Sequence, residues 1–153
     1  MRSLDTDSSA LRRSVILVAA FAIAGLVAEL VVERHWGTPV RFVPWIALVA
    51  LGWSVWRLWL GPTTRELRAA RLIAAAASAA AFVGIALHVI ENYKAGPLDA
   101  HYSLIWESMS ELERWWAAFS KSLGPAPTFA PAALILVSLL VIVATQRHPA
   151  LAR

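Results

Sequence analysis

Residues 69–90 read AARLIAAAASAAAFVGIALHVI, an apolar run with one arginine near its start and one histidine near its end. As a helix it would rise about 33 Å at 1.5 Å per residue, enough to cross a hydrocarbon core about 30 Å thick. Three more stretches, approximately 14–32, 42–60 and 129–145, have the same character. The sequence therefore predicts an all-α integral membrane protein, a four-helix transmembrane bundle forming one four-pass domain over 1–153. With 59% hydrophobic and 16% charged residues, and a mean hydropathy of +0.61, the chain has little polar surface to offer water.

The ionisable residues are sorted between these spans. Arg2, Arg12, Arg13, Arg57, Arg65, Arg68, Arg71, Arg147 and Arg153 fall on one side. The other side holds Arg34, Arg41, Lys94, Arg114 and Lys121, outnumbered by Glu29, Glu33, Glu91, Asp99, Glu107, Glu111 and Glu113. Excess arginine marks the cytoplasmic side, so both termini are expected there, with loops one and three outside. Abundant alanine and a preference for arginine over lysine point to a GC-rich bacterial source and thus to a bacterial inner membrane. Arg12 and Arg13 before an apolar run resemble the start of a signal peptide, but the run continues to Val32, so an uncleaved first span is expected. Residues 1–10 lack apolar periodicity and read as a disordered tail.

The net charge of +4 does not indicate nucleic acid, because the basic residues flank apolar spans instead of forming a stripe with interleaved aromatics. Cysteine is absent, which removes disulfides, thiolate metal sites and cysteine nucleophiles. No Gly-x-Ser-x-Gly, Walker loop, paired-histidine zinc helix or dinucleotide fingerprint occurs.

The short connections at Gly37–Pro39 and Gly61–Pro62 predict antiparallel neighbours, with Thr64 capping the third helix and Glu66 in its first turn. Span two carries Trp45, Trp53, Trp56 and Trp59, the last three spaced by three beside Arg57. Tryptophan and arginine suit the headgroup level, where this cluster would anchor the helix or pack on a pigment, a quinone or another subunit. In span three Ala76, Ala80 and Gly84 recur every four residues and lead to His88, with Glu91 one turn further. Span one repeats the pattern through Phe21, Gly25, Glu29 and Glu33. Small-residue faces let helices approach closely in lipid.

The outer loop carries Leu98, Tyr102, Ile105, Met109, Leu112, Trp116, Phe119 and Leu123 at alternating intervals of four and three. That spacing predicts an amphipathic interfacial helix over about 99–123 between helices 3 and 4, capped by Asp99 and stopped by Gly124–Pro125. Its apolar side would lie on the membrane surface, close over the bundle as a lid, or meet a partner helix.

Ionisable groups within lipid usually face a bundle interior or water, which singles out Glu29 and His88. One reading is a simple Glu29–His88 hydrogen bond, or separate access of each group to water. The other is an outer-face pocket of Glu29, Glu33, His88 and Glu91, joined by His35 or His101, whose imidazoles and carboxylates suit a transition metal. Span two and span four lack an interior acid or histidine to complete a proton path. The leading functional expectation is a noncatalytic accessory or assembly subunit of a larger membrane complex, in contact with lipid and with partner subunits or copies of itself. The alternatives are a metal- or cofactor-binding membrane protein and an oligomeric transporter or channel.

Overall fold

The computed structural model describes residues 2–120, 123–146, 148 and 150. They form α1 (Arg2–Val32), α2 (Val43–Leu60), α3 (Thr64–Ala95), α4 (Glu111–Phe119) and α5 (Ala132–Thr145), with short 3-10 turns at Pro39–Phe42, Gly96–Leu98 and Trp106–Ser108 and no strand among the described residues. Three stretches are long and apolar enough to cross a membrane: Ser9–Val32, Pro39–Leu60 and Thr64–Leu98.

The fourth apolar helix is shorter than expected. Pro127 and Pro131 hold the chain in turns, with the Ala130 N–H on the Pro127 carbonyl and the Ala132 N–H on that of Phe129, so α5 begins only at Ala132. Its 14 residues rise about 21 Å. The architecture shown is thus all-helical with three candidate spans and one shorter apolar helix. The expected disordered start is also corrected, because α1 is helical from Arg2.

By their contacts the residues fall into two compact units, 1–80 with 133–153, and 81–132. In the first unit α1 stops at a Schellman turn: Arg34 takes φ 49°, its N–H meets the Val31 carbonyl at 3.1 Å, and the His35 N–H reaches Leu30 at 2.8 Å. At the start of α3 the cap is Thr63, one residue before the expected Thr64. The Glu66 N–H donates to the Thr63 hydroxyl, while Glu66 Oε2 accepts from the Thr63 N–H at 2.8 Å. Arg57 Nε donates to the other carboxylate oxygen at 2.7 Å.

The core of this unit consists of Ile16 and Ala19 from α1, Leu48 and Leu51 from α2, and Val137 and Val141 from α5, with Leu67, Ala70, Ala74 and Ala77 from α3. The buried alanine stripe differs from the expected one, since Ala76 is exposed. Intervals of three and four follow the 3.6-residue repeat, whereas a strict interval of four drifts around the helix. Arg71 closes the far end of α5, donating through Nε to the Thr145 hydroxyl at 2.9 Å and through Nη2 to its carbonyl at 3.1 Å.

The second unit replaces the expected continuous helix over 99–123. Ser110 and Glu113 form a capping box that starts α4 only at Glu111, while Asp99 caps a turn by accepting the His101 N–H at 2.9 Å. Between them Trp106 turns inward and is buried with Ala117, Ala118 and Leu123. The ring lies so close to Gly96 that no side chain fits there.

Candidate functional site

The last two turns of α3 organise the second unit. Gly84, His88 and Asn92 recur every four residues; Asn92 is fully buried, and its side chain uses both ends. Nδ2 donates to the Ala126 carbonyl at 2.9 Å, to the Thr128 hydroxyl at 3.1 Å and to the Ala118 carbonyl at 3.2 Å, and Oδ1 accepts the Ala126 N–H at 2.9 Å. One amide thereby ties the end of α4 and the returning strand of coil to α3. Gly124 belongs to this arrangement: its φ is 82°, and an added Cβ would lie 2.7 Å from the Asn92 Cα.

His88 joins the same contact region. Its Nδ1–H donates to the Pro127 carbonyl at 2.8 Å, which assigns the hydrogen to that nitrogen because a carbonyl only accepts. Glu91 is exposed and pairs with Lys94 at 3.0 Å. His101 is exposed, and its backbone N–H is the group Asp99 holds. In the first unit Glu29 and Glu33 are exposed, and the half-buried His35 offers its carbonyl to the Trp45 indole N–H at 2.7 Å. Among the described residues no three His, Asp or Glu side chains stand together as a metal-holding group. The six anticipated ligands divide between the units, Glu29, Glu33 and His35 in one and His88, Glu91 and His101 in the other.

Aromatic and ionic contacts complete the second unit. Tyr93 stacks on Trp115 at 4.2 Å between centroids, meets Trp106 edge-on at 5.3 Å, and donates its hydroxyl to Glu111 at 2.8 Å. Arg114 lies over the Trp106 ring, donates through Nε to the Trp106 carbonyl at 2.8 Å, and pairs with Glu111 and Glu107. Of the expected apolar stripe, Leu123 is buried and Tyr102 and Met109 are half-buried, but Leu112 and Trp116 are 80% and 65% exposed. Trp116, Phe119 and Phe129 touch ring to ring and form an open apolar face.

The electrostatics are those of structural carboxylates. Asp99 is held below the ordinary carboxylate range, chiefly by the His101 N–H, with the Gly124 N–H adding to it against the opposing effect of burial. The Ser110 N–H and then its hydroxyl lower Glu113 in the same way. His148 is lowered by burial and then by the charge of Arg12, and its Nδ1 accepts the Ala150 N–H. Among the described residues no Asp, Glu, Lys, Arg or His is fully buried. A second surface feature lies at the first loop, an open concavity of about 780 Å³ lined by Trp36, Gly37, Thr38, Pro39, Phe42 and Trp45. Its chemistry is apolar contact, with no charged side chain in its wall.

No family model, curated protein or solved structure matches the chain. The fold and these surfaces define an all-helical protein with three helices able to cross a membrane.

Proposed function

We propose that the chain is a noncatalytic accessory or assembly subunit of a larger membrane complex, seated in a bacterial inner membrane with both termini cytoplasmic. The observation that carries this reading is the helix surface left without a protein neighbour. Of the most apolar stretch of each span, only 17%, 28% and 17% is buried within the chain, in chain order. Lipid covers bulky apolar faces well, but α3 leaves open a face of small residues, Ala75, Ala76 and Ala79 beside Leu72. Such a face gains most from the close approach of another helix. The sorting of arginines toward one end of the spans supports the orientation.

For a metal-binding role, no three His, Asp or Glu side chains stand together among the described residues. For a transporter or channel, an ionisable pathway would have to be completed by other copies, since none of the described ionisable side chains is buried.

A photo-reactive amino acid at position 76, activated in intact cells, tests the proposal. Cross-linking to a different membrane protein is expected. Products with a second copy alone would replace the accessory role with self-assembly, and products with lipid alone would overturn it.

A further inference from the structure

The basic end of the first unit carries a feature independent of the accessory role. Between α1 and α2 runs an apolar groove of about 280 Å³, walled by Leu17, Ala20, Ile23, Gly52, Trp56 and Trp59. It extends along about two turns of each helix, about 10 Å at 1.5 Å per residue, a large part of one leaflet's hydrocarbon depth. Gly52 faces open space on this groove, since an added Cβ there would meet no atom within 4 Å. The helical backbone and the packing around Gly52 therefore do not require glycine, and a side chain there would take up groove space.

Charge is placed at one end of this groove. The Arg13 guanidinium carbon lies 6.0 Å from the Trp59 ring centroid, and that of Arg57 lies 5.6 Å from the Trp56 centroid. Each wall tryptophan thus carries a cation over its ring. Arg57 is tied to Glu66 through Nε, but no ion pair to Arg13 occurs among the described side chains. Two guanidiniums against one carboxylate leave positive charge beside an apolar channel, and indole rings at that level suit the headgroup boundary.

We infer that this groove is a binding site for one anionic phospholipid, with an acyl chain between α1 and α2 and the phosphate beside Arg13 and Arg57. A zwitterionic lipid with the same chains fills the groove but gains less from the two guanidiniums. Free phosphate meets the charges but leaves the groove empty. Basic pockets between membrane helices select anionic headgroups on this principle.

The test uses the full chain, delipidated in detergent. Phosphatidylglycerol, phosphatidylcholine of the same chain composition, and inorganic phosphate are titrated separately, with single-lipid adducts read by native mass spectrometry and the thermal midpoint by circular dichroism. Phosphatidylglycerol is expected to form one retained adduct and raise the midpoint, and phosphate alone to do neither. Arg13→Gln should weaken that adduct about fivefold, the worth of one basic residue near a membrane surface. Gly52→Leu should abolish the adduct, and Gly52→Ala should weaken it while helicity is kept, which separates filling of the groove from misfolding. Equal retention of phosphatidylcholine, stabilisation by phosphate alone, or unchanged adducts in both Arg13→Gln and Gly52→Ala would overturn the assignment.

Discussion

The two units are held together by different physics. In residues 1–80 with 133–153, leucine, valine and alanine form the core. The polar contacts there sit at helix ends, at Thr63–Glu66 and at Arg71–Thr145, or stay within one helix, as where the Ser54 hydroxyl donates to the Ala50 carbonyl. In residues 81–132 a fully buried amide, Asn92, bonds to Ala118, Ala126 and Thr128 across the loop, and α4 has only nine residues. A short helix is marginal without tertiary support, so the second unit depends on directional bonds where the first depends on area. Polar substitutions should therefore separate the units sharply.

Asn92→Leu should have the largest effect. It removes both Asn92 bonds of Ala126 and one bond each from the Ala118 carbonyl and the Thr128 hydroxyl, which keep each other at 3.4 Å, and each buried polar group left unpaired costs about 1–3 kcal/mol. Hydrogen exchange in lipid nanodiscs is expected to rise across 111–128 while α1 and α2 stay protected. Equal loss of protection in all helices would erase the distinction between the units.

Glycine substitutions sharpen the same comparison. Gly124→Ala combines an unfavourable φ with a clash on Asn92 and should cost about 2 kcal/mol or more. Gly25→Ala, in open space within α1, should instead be neutral or stabilise by up to about 1 kcal/mol. Denaturant unfolding of the two variants measures the contrast.

Acid should weaken the second unit. Asp99 and Glu113 have native pKa values below their unfolded ones, so their contribution is fully present above the ordinary carboxylate range, about pH 4, and is lost as pH falls through the lowered native values. Exchange rates over 99–124 should rise on acidification, and Asp99→Asn should flatten that dependence. An unchanged profile in Asp99→Asn would remove Asp99 from the explanation.

The smallest effect is expected at Ser138, whose hydroxyl is buried in α5 without a hydrogen-bond partner. Ser138→Ala leaves no polar group unpaired and should be neutral or slightly stabilising in thermal unfolding.

This contrast also explains what the sequence disclosed. Spans are legible because length and apolarity are local properties, and the three longest runs are the three candidate spans. The start of α4 was locally available as well, since Ser110-x-x-Glu113 is a capping-box pattern, but a longer apolar periodicity running through Ile105, Met109 and Leu112 obscured it. Asn92 extends the four-residue stripe of Gly84 and His88 and could have been marked on that ground. Its partners could not: the carbonyls of Ala118 and Ala126 lie 26 and 34 residues away and become neighbours only after the loop folds back.

The central functional claim is that the open helix faces are covered by other proteins. Its most direct measurement is a subunit inventory of the chain extracted from its native membrane in mild detergent, with mass spectrometry of the intact complex. The account predicts at least one different membrane protein at a fixed stoichiometric ratio. A single homogeneous species containing this chain alone would contradict it.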